Sequence, residues 1–206
     1  MKINLPLYPS QIKLKDYIAF QSAVDDVERV IVATGKTRKE VMRLKPDTVS
    51  YIVSKFKTVA ELAPTELIRH VKVRKGIRSI HLSFIPNLET CSLAEWVDMD
   101  AYDRQAYGRP DPNNPKVQPK ADWDKLALLV GIMYRPLKDR FLGDYSIAQY
   151  DSENRGHIPF VLNMTMDVVN SAHLFFSTFG NELQKNSLDS LTMELKKAVK
   201  SIESEA

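Results

Sequence analysis

Asp98 with Asp100, and Asp122 with Asp124, are close acidic pairs, the kind of carboxylates that a hydrolytic metal site draws on. On a helix, a spacing of two sends side chains to different faces, so helix polarity and complementarity to an N-terminal dipole explain them better. The four histidines, His70, His81, His157 and His173, include no pair at i, i+4 and therefore no helical zinc motif. His70 and His81 flank Gly76 and would face each other across a hairpin, but no third and fourth ligand stands near them in sequence. Cys91 is the single cysteine, which excludes an internal disulfide and a multi-thiolate centre, and it reads as a small residue just before a helix. The seven glycines are too widely separated to cradle a phosphate, and no serine sits in a nucleophile elbow. An enzyme would need distant acids, histidines and Cys91 to converge in one pocket. The residues therefore point to no catalytic group, no metal and no cofactor.

Two other constellations concern binding. Arg69, Lys72, Arg74, Lys75 and Arg78 fall within ten residues without an acid among them. Such a ribbon could neutralise phosphates, or could equally guard an exposed strand edge against unwanted pairing. The stretch has no Phe, Tyr or Trp on which bases could stack, which favours the guard. From Ile85 to Phe176, large aromatics recur beside Arg and Pro. Aromatics and Arg dominate interface energies, so Trp96, Tyr102, Trp123, Tyr134, Arg135 and Phe176 are the candidate partner-binding anchors. Arg135 has a second reading, at a helix C-terminus closed by Pro136, pairing with a carboxylate such as Asp98.

The elements that must position these residues are mostly helical. A helix starts near Leu14 and its pattern continues through Ala33 until Gly35 stops it. Thr37 with Glu40, and Ser92 with Glu95, fit capping boxes, and Pro46 suits a first helical position. Val71 and Val73, then Ile80, Leu82 and Phe84, alternate with polar residues on either side of Gly76, which predicts a β-hairpin. A short helix follows Ser92 through Met99, and residues 103–122, with four prolines and few large apolars, form a long loop. Leu126 to Tyr134 is apolar nearly all round and predicts a central buried helix. Tyr145 to Tyr150 reads as a short strand, and a long helix is expected over about Asn163–Gln184. A C-terminal amphipathic helix is expected at about 187–204. The fold class is thus α+β and predominantly helical. A helical N-terminal lobe spans 1–64, and a lobe of one β-hairpin, the central helix and long C-terminal helices spans 65–206.

With 206 residues, 44% hydrophobic and 27% charged, the chain has an ordinary globular composition. Its net charge of +3 comes from 29 basic against 26 acidic residues, a mixture that favours solubility over a nucleic-acid surface. Neither a signal peptide at Met1–Pro6 nor an apolar run of membrane-spanning length is expected.

Short segments across most of the chain resemble a family of small proteins from the structural operons of tailed bacteriophages. They are Met1-Lys2-Ile3-Asn4-Leu5-Pro6, Leu14-Lys15-Asp16-Tyr17, Pro86-Asn87-Leu88, Glu95-Trp96-Val97-Asp98, Tyr134-Arg135-Pro136, Tyr145 and Tyr150, Phe175-Phe176 and Glu182-Leu183. The resemblance implies a non-enzymatic virion structural or assembly protein that contacts other phage structural proteins or copies of itself. Its place would be the particle, or the host cytoplasm during assembly. A tail assembly chaperone absent from the mature particle is one alternative, and a nucleic-acid-binding accessory protein using hairpin residues 69–78 is the other. The latter predicts binding that weakens steeply between about 50 and 200 mM salt. A gel showing no shift of DNA or RNA even at low salt removes it.

Overall fold

Thr37 and Ser92 are each followed three residues later by a glutamate, and both pairs close reciprocal capping boxes. The computed structural model in which they are seen describes residues 3–62, 64–86, 91–111, 115–141, 144–153 and 155–176. It divides the chain into two units between Ala172 and His173.

In the first unit, helix α1 (Leu14–Ser22) and helix α2 (Asp26–Thr34) are separate elements. The break arises because Asp25 adopts an extended conformation and its side chain accepts from the Glu28 N–H at 2.8 Å, starting a new helix. Gly35 ends α2 in the left-handed region. The short α3 (Arg38–Val41) carries the Thr37 box, and α4 (Pro46–Ala60) begins on its proline. Phe20 and Phe56 stack at 4.5 Å between α1 and α4, where both are buried.

Strands β1 (His70–Lys75) and β2 (Arg78–Phe84) form the expected hairpin around Gly76-Ile77. Helix α5 (Leu93–Tyr107) follows, then α6 (Asp124–Met133), β3 (Tyr134–Phe141), β4 (Asp144–Ile147) and α7 (Ile158–Val161). The four strands make one sheet in the order β1-β2-β3-β4 with every neighbour antiparallel. Residues 166–172 are helical, and in the second unit residues 173–176 are helical as well.

Several expectations need correction. The sheet has four strands where the sequence predicts a hairpin and a short strand at Tyr145–Tyr150: β4 falls at Asp144–Ile147, and the unpredicted β3 begins at Tyr134, where the central helix ends. The N-terminal helices are not a lobe of their own. Lys13 bridges to Thr165, Leu14 N–H donates to the Met164 carbonyl at 2.8 Å, and Met166 N–H to Ile12 at 2.9 Å. Asn170 adds donation to the carbonyls of Ala60 and Leu62 at 2.7 and 2.9 Å. These bonds leave no seam at residue 64. Helix α5 runs eight residues beyond Met99, held by an Asp100–Arg104 ion pair one turn apart, so the proline-rich loop starts later than residue 103. The helix expected over about Asn163–Gln184 begins at 166 rather than 163. Its remainder and the helix expected at 187–204 lie outside the described residues, so neither long C-terminal helix has support. No helix among the described residues is long and apolar enough to cross a membrane.

Helix α5 ends at Gly108, whose φ of +62° is a left-handed value. A Cβ there would stand 2.7 Å from the Pro119 carbonyl oxygen and 2.9 Å from the Ala121 nitrogen, whereas one at Gly35 (φ +65°) would meet nothing within 4 Å. Gly35→Ala should therefore cost about 1 kcal/mol of unfolding free energy, the conformational term alone, and Gly108→Ala roughly 1–3 kcal/mol more. Equal effects in urea unfolding would show that the loop yields freely at Gly108.

Candidate functional site

The site is built at the junction of α6 and β3. Leu126, Ala127, Leu129, Val130, Ile132 and Met133 are all buried, so α6 is wrapped in apolar contacts. Pro136 disfavours helical geometry at Arg135, and the chain turns extended at Tyr134, immediately after the last helical residue. Tyr134 is wholly buried, its ring edge-on to Phe84 at 5.4 Å, and its hydroxyl donates to the Ile68 carbonyl. Burial, aided by Asp167 and Tyr145 nearby, holds that phenol well above its usual pKa.

Successive strand residues point to opposite faces, so Arg135 faces away from Tyr134 and Pro136 and sits beside Ser83 of β2. Its Nη2 lies 2.7 Å from Glu95 Oε1, with the two side chains 9% and 7% exposed. The other Glu95 oxygen accepts from Ser92 N–H, closing the α5 capping box. One buried carboxylate therefore both starts a helix and neutralises the arginine. Cys91 lies close by, where burial chiefly pushes its thiol up to about 11, with Glu95 adding and Arg135 opposing. The sulfur is protonated at neutral pH and a poor nucleophile.

Arg135 also borders a cavity of about 270 Å³. Its apolar wall comes from Ile80 of β2, Leu128 and Ile132 of α6, Pro136 of β3, and Ile158 of α7. Two tyrosines and their holders complete it. Arg155 donates to the Tyr102 hydroxyl at 2.7 Å and lies over its ring at 5.6 Å from the centroid. Tyr150 donates to the Asp98 carboxylate, and burial and this bond hold its phenol above the ordinary value. His157 Nε2 lies 2.8 Å from the Gly131 carbonyl, which can only accept, so the proton is on Nε2. A Cβ at Gly131 would fall against Ile158 Cδ1, and the end of that isoleucine would have to swing aside. Among the described residues, Arg135 Nε is a buried donor with no acceptor.

Of the predicted anchors, Tyr102 and Arg135 line this cavity. Tyr134 is core. Trp123 is half-buried and stands edge-on to Tyr17 at 5.9 Å and Tyr107 at 5.5 Å, joining α1, α5 and α6. Trp96 is half-buried on α5, away from the cavity lining, and Phe176 belongs to the second unit, where its side chain is buried. Arg135 pairs with Glu95 rather than Asp98, because strand geometry turns it toward the first turn of α5. The acids serve separate roles: Asp100 pairs with Arg104, Asp98 accepts from Tyr150, and Asp122 Oδ1 accepts from the Asp124 N–H. No group of three or more His, Cys, Asp or Glu placed to hold a metal ion occurs among the described residues.

The hairpin register sets His70 opposite Ser83 and His81 opposite Lys72, so the two histidines are not partners. Arg69, Lys72, Arg74, Lys75 and Arg78 are all exposed. Lys72 and Arg74 share one face with His81 and Ser79, while Lys75 and Arg78 point to the other. The charge is thus spread over both faces.

Tyr150, Arg155 and His157 complete the cavity but are absent from the predicted anchors. Tyr150 carried a signal as part of an aromatic pair. Nothing in the spacing of Arg155 or His157 ties them to Tyr102, which is more than fifty residues away. No family model matches the sequence, and no curated protein or solved structure matches it either.

The buried ion pair is directly testable. Glu95→Ala leaves Arg135 buried without its carboxylate and should lower the unfolding free energy by about 3–5 kcal/mol. Glu95→Gln keeps a capping acceptor and should cost less. Urea denaturation of both variants measures this, and a loss below about 1 kcal/mol in Glu95→Ala would mean that the pair contributes little.

Proposed function

We propose that this chain is a non-enzymatic structural or assembly protein of a tailed-bacteriophage particle, acting through protein–protein contacts. The observation that carries the contact role is the cavity between α5, α6 and the strand that follows. Its walls are apolar and tyrosine-rich, and its polar groups include two arginines, His157, Gln149 and Asp151, with no Ser, Thr or Cys nucleophile in the lining. Surfaces of that chemistry anchor partner side chains. The phage assignment rests on the segments that resemble the structural-operon family, two of which, Glu95–Asp98 and Tyr134–Pro136, meet in the Arg135–Glu95 pair. Stable association would bury roughly 1,200–2,000 Å² in total.

A permanent component and a chaperone that leaves before maturity would both use such a contact surface. The basic hairpin keeps the nucleic-acid reading as a second one, since all five cations are exposed, although their division between two faces suits an edge guard better.

Quantitative mass spectrometry of purified particles of the phage that encodes the chain, beside the infected-cell lysate, tests the proposal. The expected result is a reproducible copy number in particles. Abundance in lysate complexes with tail proteins but absence from particles would make it an assembly factor. Absence from both particles and such complexes overturns the reading.

A further inference from the structure

The positive charge of the chain is not spread evenly. Arg69, Lys72, Arg74, Lys75 and Arg78 are five of the 29 basic residues, and no acid lies between Glu66 and Glu89. The other residues hold 24 bases against 26 acids, so the whole basic excess sits on the β1–β2 hairpin. All five cations are exposed, and none forms an ion pair among the described residues.

Guarding a strand edge accounts for these charges but not for what they surround. Ile77, in the turn, is 104% exposed, and residues 74–79 are exposed without interruption. Lys75 and Arg78 are cross-strand partners directly below the turn, Arg74 is the second residue below it and Lys72 the fourth. Strand β3 pairs with β2 only at Leu82, Ser83 and Phe84. Among the described residues, the two strands therefore pair only with each other from Lys72 to His81, while the buried Val73 roots the ribbon.

Dimensions and charge pattern together select a partner. At about 3.3 Å per residue, Lys75, Arg78 and Arg74 lie within about 7 Å of the turn and Lys72 about 13 Å from it. The polar layer of one membrane leaflet is about 5–8 Å deep, half the difference between the whole bilayer and its hydrocarbon core. With Ile77 at the hydrocarbon boundary, three cations reach the depth of the lipid phosphates, and Lys72 stays within a Debye length of them. Lys72 and Arg74 point to one face of the ribbon and Lys75 and Arg78 to the other. A duplex or a protein met side-on takes up one face only, whereas a ribbon entering a headgroup layer end-on has anions on every side. Single-stranded nucleic acid calls for aromatic side chains on which to stack its bases, and residues 69–83 include no Phe, Tyr or Trp.

We propose that the β1–β2 turn docks on anionic phospholipid membranes, with Ile77 entering the edge of the hydrocarbon layer and Lys75, Arg78 and Arg74 neutralising lipid phosphates around it. One apolar side chain with a few cations gives reversible attachment, not permanent anchoring. The proposal goes beyond the contact role proposed above and does not rest on it.

Co-sedimentation of the full chain with phosphatidylcholine vesicles containing about 30% phosphatidylglycerol tests it, with pure phosphatidylcholine vesicles and a mixed-sequence DNA duplex as comparisons. Each cation near an anionic surface strengthens binding roughly fivefold, so the anionic vesicles should bind about a hundredfold more tightly than the neutral ones, and less so as salt rises. Ile77→Ser should weaken vesicle binding about tenfold, and Lys75→Gln with Arg78→Gln about 25-fold. Ile77→Trp should shift its emission to the blue when anionic vesicles are added, relative to the unsubstituted chain. All these side chains are exposed, so the substitutions leave the folded body as it is.

Equal binding to neutral vesicles overturns the proposal, as does vesicle binding that Ile77→Ser leaves unchanged. Binding to the duplex with none to vesicles also overturns it and assigns the ribbon to nucleic acid. These outcomes leave the particle measurement untouched.

Discussion

Met133 is the last residue of a helix and Tyr134 the first of a strand, with no linker between them. Everything around the cavity follows from that abrupt change. It fixes the direction in which α6 delivers the chain to β2, sends Tyr134 into the core against Phe84, and turns Arg135 to the other face toward α5. The buried ion pair then locks the start of α5, because the same glutamate closes its capping box. An isolated ion pair of this kind adds little net stability over an apolar replacement. What it adds here is orientation: helix, strand and arginine have one mutually consistent arrangement.

Much of the local architecture was legible in the residues themselves. The capping boxes at Thr37 and Ser92, the helix-starting Pro46 and the alternation around Gly76 are short-range signals, and each is fulfilled where it was read. Strand β3 was not legible. Tyr134-Arg135-Pro136-Leu137 contains a proline, lacks a clean period of two and follows an apolar helix, so the pattern marks a helix end near Arg135 and no strand after it. Its extended state is imposed by pairing with Leu82, Ser83 and Phe84, far away in sequence. The full length of α5 was missed for a related reason. Asp100, Asp103 and Arg104 break the apolar pattern, whereas the buried face runs through Met99, Asp103 and Ala106 at helical spacing, with Asp100 pairing Arg104 and Asp103 pairing Arg109 beside it.

The candidate site divides along the same line. Residue type alone was enough to single out Tyr102 and Arg135. It was equally good at singling out Tyr134, which is buried in the core, and Trp123, which is half-buried among α1, α5 and α6. A large aromatic suits a core and a partner surface alike, and only tertiary position separates the two. Arg155 and His157 carry no periodic signal, since they lie in an irregular stretch whose geometry comes from α6 and Tyr102.

The pairing of β2 with β3 also has a consequence in time. The β1–β2 hairpin closes over two residues, but Phe84 waits for Tyr134, fifty positions later. At synthesis rates of about 5–20 residues per second, the edge of β2 has no partner strand for roughly 3–10 s. Through that interval β2 offers open backbone groups to any neighbouring chain, and Arg78 at its start, with the cations beside it on β1, disfavours such pairing. Those charges thus serve the nascent chain before the sheet they belong to is complete.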